Sequence, residues 1–447
     1  MINAHPLLTC AEAKDFEAGY FAGDEEREWS AMQQAGRAAA DAVLLDFKET
    51  GEFPAEARVL VLAGKGHNGG DALIAARRIA ERYPHAKIEV IFAFGQRALR
   101  PLARRAWVSL APIATSVGRP GLSSYDLVLD GVFGFQFRPP LDARVAELLN
   151  VINALPVRLR AAIDLPSGLN DPSAFRADFT YATGIVKTPL LSLENAGRLR
   201  YLDLGFDVAR VHADAKEYVL SASVLVPLRA LRSSRSDKRT FGHVFIVGGS
   251  RNYPGAVLMS VLAALRSGAG LVTAFVPESL AAAFAARAPE AMWVAWPETP
   301  DGGMALEGSH LLRAKLERAD ALLIGPGLGR EPETLALAKD IVGQSAIPLV
   351  IDGDALQSDI VAAGRAPRVL TPHAGEYARI EKVIHANAVT IRKGPLTSIL
   401  AGDKTYHSFV GGPVLARGGS GDLLAGLVGG LLAQTPEDTL GAACRGT

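Results

Sequence analysis

Short apolar runs that suit β-strands alternate with helix-like segments along most of this chain. Arg58–Ala63 (RVLVLA) leads through the loop GKGHNGGD into the alanine-rich segment ALIAARRIAERY, and Lys87–Phe94 (KIEVIFAF) is followed by a helical segment at Leu99–Leu110. Further apolar runs lie at Leu127–Asp130 and Leu159–Asp164. Strands separated by helices pair in parallel, because each helix returns the chain to the same end of the sheet. The pattern therefore predicts an α/β fold built on a doubly wound parallel sheet.

The alternation runs twice, which predicts two domains. It stops near Asp203 and restarts at His243–Val247 (HVFIV), and a later strand is predicted at Ala321–Ile324. A chain of 447 residues is long enough for two or three hydrophobic cores. We predict two three-layer α/β/α domains, residues 1–219 with a Rossmann-like sheet and residues 220–447 with a second sheet of the same class.

Composition excludes several classes of protein. Lys plus Arg and Asp plus Glu both total 47, so the chain carries no net positive charge to attract nucleic acid. The two cysteines, Cys10 and Cys444, are too few and too far apart for a disulfide framework or a zinc site. No signal-peptide order and no run of about 18 apolar residues occurs, which predicts a cytoplasmic protein with no membrane partner.

The loop Gly64–Asp71 (GKGHNGGD) is the first candidate binding site. It joins a predicted strand to a predicted helix, where free backbone N–H groups and the helix dipole favour a phosphate. Gly64, Gly66 and Gly69 also match G-x-G-x-x-G, but the next strand ends Phe92–Gly95 without the carboxylate that would bind a ribose, which disfavours a dehydrogenase. A tight turn without a ligand is the alternative.

Two further loops place polar side chains after predicted strands. Asp130 opens DGVFGF, and Asp164 opens DLPSG, which includes Ser167. Carboxyl ends of parallel strands share one edge, so these residues and Asn68 could converge there. Their carboxylate, amide and hydroxyl oxygens suit an alkali or alkaline-earth ion rather than zinc. The alternative is that each aspartate only caps a helix.

The motifs GKGHNGGDAL, DGVFGF, DLPSGLN and DFTYATGIVK together resemble the NAD(P)H-hydrate epimerase domain across roughly residues 10–210. The resemblance implies a potassium ion held by Asn68, Asp130 and Ser167, and an epimerisation at C6 of the hydrated nicotinamide in which Asp164 is the candidate acid–base. Lys187 is a weaker candidate, because a lysine that ends a strand is usually solvated. The residues implied to hold the hydrated nucleotide are His67 (where many members have Asn), Asn68, Gly69, Gly70, Asp71, Gly134, Phe135, Gln136, Phe137, Arg138, Pro139, Pro140 and Asp164.

A second glycine loop, Gly418–Asp422 (GGSGD), precedes the apolar helix LLAGLVGGLLA. Its backbone amides could stabilise a transferring phosphoryl group, and Asp422 could take a proton from an attacking hydroxyl. It is not a Walker loop, because G-x-x-x-x-G-K-[ST] is absent. An aspartate at a helix start can also be no more than a favourable cap.

The strings HVFIVGGS, YPGA, GAGLVT, GPGLG, TPHAGE and GGSGD resemble, in that order, the ADP- or ATP-dependent NAD(P)H-hydrate dehydratase domain of the ribokinase-like superfamily. The resemblance implies that the hydrate's C6 hydroxyl is phosphorylated, with Asp422 as base, and that phosphate is then eliminated. Fused bacterial members are usually ADP-dependent, so ADP with Mg²⁺ is the expected co-substrate. The stretch Tyr377–Arg392 is shorter than the corresponding family segment. Implied substrate contacts are Ala256, Gly327, Gly329, His373 and Asp422, and implied contacts to the adenine nucleotide are Lys393, Gly394, Pro395, Leu396, Thr397 and Gly421.

Together the two halves predict a fused enzyme that interconverts the R and S epimers of hydrated NADH and NADPH and dehydrates the S epimer. Two alternatives are a ribokinase-like small-molecule kinase with a regulatory dinucleotide-binding domain, and a scaffold whose N-terminal loops only bind. The expected partners are the hydrated coenzymes and ADP, and we expect a homo-oligomer.

Overall fold

The computed structural model describes residues 2–121, 124–207 and 215–447. The chain divides into two compact units. One is His5–Ala215, and the other is Lys216–Thr447 together with the N-terminal residues up to Ala4. Each unit is built on its own sheet, with helices interleaved between the strands, as the alternation in the sequence predicts. The predicted α/β class is therefore confirmed.

The N-terminal unit contains a seven-stranded sheet in the order β4-β3-β2-β5-β6-β7-β8, in which every pair is parallel. The first strand of the chain is β1 (Ala4–Pro6). The strands of this sheet are β2 (Arg58–Ala63), β3 (Lys87–Phe92), β4 (Ala114–Ser116), β5 (Tyr125–Gly131), β6 (Val157–Ile163), β7 (Phe179–Thr183) and β8 (Arg198–Leu202). The helices are α1 (Cys10–Phe21), α2 (Glu25–Phe47), α3 (His67–Arg82), α4 (Pro101–Leu110) and α5 (Ala143–Ala154).

Strand β2 shows how this sheet becomes the middle of three layers. Successive side chains of a strand point to opposite faces. Val59 and Val61 pack in the core shared with α2, α3 and α4, whereas Leu60 and Leu62 pack in the core shared with α5. All four are fully buried, which explains why the run RVLVLA is continuously apolar rather than alternating.

The C-terminal unit carries an eleven-stranded sheet in the order β1-β9-β18-β17-β16-β15-β14-β13-β10-β11-β12. Its strands are β9 (Glu217–Leu220), β10 (His243–Val247), β11 (Leu271–Pro277), β12 (Met292–Trp296), β13 (Ala321–Ile324), β14 (Leu349–Ile351), β15 (Arg368–Leu370), β16 (Val389–Arg392), β17 (Thr397–Ala401) and β18 (Lys404–Ser408). Its helices are α6 (Pro254–Arg266), α7 (Glu278–Arg287), α8 (Ser309–Arg313), α9 (Pro332–Gln344), α10 (Ser358–Val361), α11 (Ala374–Ile380), α12 (Ser420–Gln434) and α13 (Thr439–Gly446).

The strands from β12 to β16 along this sheet are parallel, but β17 pairs antiparallel with both β16 and β18. The short segment after Glu376 forms only the end of α11 and a single further turn before β16 begins at Val389. Among the described residues, none of the helices combines the length and the apolar character needed to cross a bilayer.

Candidate functional site

A cavity of about 500 Å³ opens at the carboxyl ends of the N-terminal strands, beside the first turn of α3. The loop before α3 forms one wall, the loop after β5 a second, and α1 and α2 contribute a third. The predicted site residues that line it are His67, Asn68, Asp71, Gly134, Phe135, Gln136, Phe137, Arg138, Pro140 and Asp164. The structure thus brings these loops together at one edge of the sheet, as the parallel arrangement of the strands predicts.

Gly69 and Gly70 lie in the first turn of α3, next to the cavity wall formed by the loop before that helix, and both are buried. A Cβ on Gly69 would lie 2.3 Å from the backbone oxygen of Gly64, and one on Gly70 would lie 2.6 Å from the sulfur of Met32. The two glycines allow the helix to start against its own loop and against α2. Their predicted contact with substrate stays a prediction.

Asn68, Asp130 and Ser167 form an oxygen-rich cluster at the back of the cavity wall. Asp130 and Ser167 are fully buried, and Ser167 and the half-buried Asn68 both hydrogen-bond to the backbone of Phe133. Ser167 donates its backbone N–H to Asp130 Oδ2 (2.7 Å) and its hydroxyl to Asp130 Oδ1 (2.7 Å). Asn68 donates its amide to the backbone oxygen of Phe133 (2.8 Å), which leaves Asn68 Oδ1 buried and without a hydrogen-bond partner. Burial raises the pKa of Asp130 to about 6, against the lowering effect of its hydrogen bonds to Ser167 and Val132.

Asp164 and Lys187 form a buried ion pair at the floor of the cavity. Lys187 is 1% exposed, and its Nζ lies 2.5 Å from Asp164 Oδ1 and 4.8 Å from the centre of the Phe135 ring. Asp164 has a left-handed backbone (φ +65°) and accepts the backbone N–H of Phe135 on its other oxygen (3.2 Å). The expectation that Lys187 is solvated is wrong. The segment after β7 directs this side chain inward, where it pairs with the carboxylate of Asp164.

Several charged residues that line the cavity were not among the predicted site residues, and Glu17, Glu28 and Arg100 lie outside the motifs altogether. Glu17 on α1 and Glu28 on α2 both line the cavity, and Glu28 lies 3.4 Å from His67 Nε2. Lys65 and Arg100 line it from the loop side. Burial raises the pKa of Asp71 well above its usual range, and the charges of Asp164 and Glu17 add to this effect.

In the C-terminal unit, His373 and Lys393 are neighbours at adjacent strand ends. His373 caps α11, accepting the backbone N–H groups of Gly375 (3.0 Å) and Glu376 (3.3 Å) at Nδ1. Lys393 donates its backbone N–H to Pro372 and its side chain to Asp352 Oδ1 (3.3 Å). The short segment before β16 therefore still delivers Lys393 to the strand-end edge.

Asp422 lies in the first turn of α12, where the left-handed Gly419 (φ +89°) begins the helix. The hydroxyl of Ser260 on α6 holds the Asp422 backbone oxygen (2.8 Å). Burial raises the pKa of Asp422 to about 6, and the Asp352 carboxylate adds to the increase, whereas Lys393 opposes it. Asp352 and Lys393 thus act on the carboxyl group of Asp422, which the sequence predicts as a candidate base.

The remaining predicted residues of this half fall into two groups. Gly327 lies against Ala256, since a Cβ there would come within 2.8 Å of the alanine methyl, and Gly329 donates its N–H to Asp354 (3.0 Å). On the other side, a Cβ on Gly421 would lie 3.1 Å from Lys393 Nζ. The segment Gly394–Thr397 connects β16 to β17 beside that lysine. Asp352 and Asp354 lie directly after β14 and are not among the predicted site residues.

Two family models match the chain in its two halves. Residues 29–188 match the model described as YjeF-related protein N-terminus, and residues 244–447 match the model described as NAD(P)H-hydrate dehydratase.

Similar proteins cover almost the whole chain. A bifunctional NAD(P)H-hydrate repair enzyme from Gloeobacter violaceus is 35% identical over 96% of this chain and 89% of its own length. One of the same name from Thermosynechococcus vestitus is 34% identical, over 96% and 88%. The solved ADP/ATP-dependent NAD(P)H-hydrate dehydratase from Bacillus subtilis, co-crystallised with ATP and Mg²⁺, is 29% identical over 48% of this chain and 80% of that one, with a TM-score of 0.41.

Proposed function

The chain belongs to the bifunctional NAD(P)H-hydrate repair enzymes, and from that membership we propose a division of labour between its two halves. Residues 1–219 interconvert the R and S epimers of hydrated NADH and NADPH. Residues 220–447 dehydrate the S epimer at the expense of ADP and yield NAD(P)H, AMP and phosphate. Similarity to repair enzymes along 96% of the chain is the observation that carries this proposal.

In the N-terminal half, the cavity binds the hydrated nucleotide with its phosphates toward the first turn of α3. Backbone N–H groups at a helix start favour phosphate oxygens. The nicotinamide end then lies toward Asp164, whose carboxylate is held in place by Lys187 and by the Phe135 N–H. Loss and return of water at C6 is acid–base chemistry that such a carboxylate can support.

The cluster behind this cavity fits a potassium ion. Asn68 Oδ1 is buried without a partner, and among the described residues no lysine, arginine or histidine lies within ion-pairing distance of Asp130. We propose that Asn68, Asp130 and Ser167 hold the ion, whose charge would balance the buried carboxylate and fix the two loops that line the cavity. Among the described residues, no three His, Cys, Asp or Glu side chains converge as a metal site.

In the C-terminal half, we propose that Asp422 takes the proton of the substrate's C6 hydroxyl. The hydroxyl oxygen bonds to the terminal phosphorus of ADP, and the bond from that phosphorus to AMP breaks. Hydroxide is a poor leaving group and phosphate a good one, so phosphate then departs with the C6–O electron pair. The ring nitrogen supplies the electrons and C5 loses a proton, which restores NAD(P)H. Lys393 and Gly421 bind the nucleotide, and the amides of Gly419–Asp422 stabilise the transferring group. Mg²⁺ bound to ADP would neutralise part of the charge on its phosphates.

A coupled assay tests the whole proposal. The purified chain, supplied with both hydrate epimers and ADP, is expected to restore NADH absorbance completely and to release one phosphate per coenzyme. Without ADP, it should interconvert the epimers and restore no absorbance. Conversion that stops when the S epimer is exhausted would contradict the epimerase half. A phosphorylated product without phosphate release would favour the kinase alternative.

Potassium is expected to stabilise the N-terminal half. Replacing tetramethylammonium by K⁺ at constant ionic strength should raise its free energy of unfolding by about 2.7 kcal/mol when K⁺ is at 100 times its Kd, because the ion binds only the folded state. Hydrogen exchange of peptides from β5 and β6 in urea measures this. Asp130→Asn should lose the K⁺ response. A response that persists in this variant would show that the ion binds elsewhere.

We further propose that the protein is cytoplasmic and forms a homo-oligomer. Size-exclusion chromatography with light scattering tests the oligomeric state.

A further inference from the structure

The N-terminal cavity holds more carboxyl groups than its buried lysine can balance. Glu17, Asp71 and Asp164 all line it, and Lys187 is bonded to Asp164 alone. Glu28 also lines it, but faces His67. Carboxylates that share a poorly solvated site cannot all stay ionised, so protons are retained on some of them. Such a site can contain an acid and a base at the same pH.

Among the described residues, Glu17 and Asp71 are the lining carboxyl groups without a hydrogen-bond or ion-pair partner, and Glu17 is the less buried of the two. It projects from α1, whereas Asp164 follows β6 at the sheet edge, so the two reach the cavity from different walls. Among the described residues, no hydrogen bond or ion pair engages the Glu17 carboxyl group. A partly buried polar group without a partner is costly, and a substrate hydroxyl could supply the missing hydrogen bond.

We propose, building on the epimerase function above, that Glu17 is a second catalytic residue, which protonates the departing C6 hydroxyl of the hydrated nicotinamide while Asp164 serves as the base. The C6–O bond breaks with its electron pair, the Glu17 proton completes a water molecule, and the N1 lone pair forms a C6–N1 double bond. Water then adds to the other face of C6 and gives its proton to Asp164. One proton enters and one leaves, and the reverse reaction uses the same two groups with their roles exchanged.

The electrostatic surroundings agree with the acid role. The pKa of Glu17 is raised to about 7, chiefly by burial; Lys187 opposes the increase, and the charges of Asp164 and Glu28 add to it. A substantial fraction of Glu17 therefore stays protonated near neutral pH, as a general acid must. The charged groups that face it from the elements around the cavity are Asp71 on α3, Asp164 after β6, Lys187 after β7, and Glu28 on α2.

Glu17→Gln tests the proposal. Starting from the pure R epimer without ADP, its rate of S-epimer formation above the enzyme-free control should fall by about 10²-fold or more. The wild-type kcat/KM should decline about tenfold per pH unit above pH 7, as the acid form is lost, and Glu17→Gln should lack this decline. Asp15→Asn, on the exposed side of the same helix, is the matched control and should epimerise normally.

Three further measurements separate the explanations. Dehydration of the pure S epimer with ADP should be unchanged in Glu17→Gln, and hydrogen exchange of β2 peptides should show a folded N-terminal half. If that half is unfolded, Glu17→Asp decides: it should retain epimerisation within about tenfold and keep the alkaline decline. A Glu17→Gln chain that epimerises like the wild type, or a Glu17→Asp chain without the decline, would overturn the role of Glu17. A wild-type chain that does not epimerise would instead overturn the proposed function.

Discussion

Asp422→Asn is expected to lower ADP-dependent dehydration by about 10²- to 10⁴-fold, the usual contribution of a general base. Asparagine has nearly the same shape and keeps the Ser260 contact, which involves the backbone oxygen, but it cannot accept the hydroxyl proton. The hydrate then binds without being phosphorylated. Phosphate release from the pure S epimer and ADP measures the loss directly.

The pH dependence gives the same assignment a second test. The pKa of Asp422 is raised to about 6, and a base acts in its ionised form, so wild-type kcat/KM should be constant above pH 6 and fall about tenfold per unit below it. The residual kcat/KM of Asp422→Asn should show no such fall below pH 6. Asp403→Asn, in the exposed turn between β17 and β18, is the matched control and should dehydrate normally. Epimerisation should be unchanged in both variants, and substantial dehydration by Asp422→Asn would show that another group is the base.

The parts of the fold that local sequence predicts are those with a continuous apolar signal. The strand at Arg58–Ala63 is buried on both faces, and close packing requires the glycines that follow it. The local sequence is therefore sufficient to predict the strand, the loop and the helix in this region. The convergence of Asp130 and Ser167 follows from parallel topology, because Asp130 lies at the end of β5 and Ser167 lies in the loop after the neighbouring strand β6. By contrast, β17 and β18 are antiparallel, short and partly polar (TSILA and KTYHS), and the helix–strand alternation gives no sign of them.

Residues that enter a site through long-range packing leave no local pattern. Glu17 lies in a helix that carries no motif, and only the packing of α1 against the rest of the unit places it in the cavity. Lys187 carries an ambiguous signal, since a lysine after a strand is usually solvated, and its burial depends on Asp164, which is 23 positions away. Asp352 similarly acquires its role from Lys393, 41 positions away. Motifs therefore predict the loops of the candidate sites. The charged residues that shift pKa values in those sites can be located only once the fold is known.

Lys187→Met is expected to destabilise the N-terminal half by about 3–5 kcal/mol, because it leaves the buried Asp164 carboxylate without its counter-charge. Methionine nearly matches the length of the lysine stem, so the lost interaction is mainly electrostatic. Hydrogen exchange of β6 and β7 peptides in urea measures the change without interference from the C-terminal half.

The double variant Asp164→Asn/Lys187→Met separates stability from activity. Removing both charges together should recover most of the lost stability, because neither partner is left buried and unpaired. The double variant should not epimerise the hydrate, because it lacks the Asp164 base. It should still dehydrate the pure S epimer. If Lys187→Met alone were as stable as the wild type at neutral pH, the pair would contribute no net stability. If the double variant still epimerised, Asp164 would not be the base, and the cavity's acid–base chemistry would have to be assigned to Glu17 and Asp71.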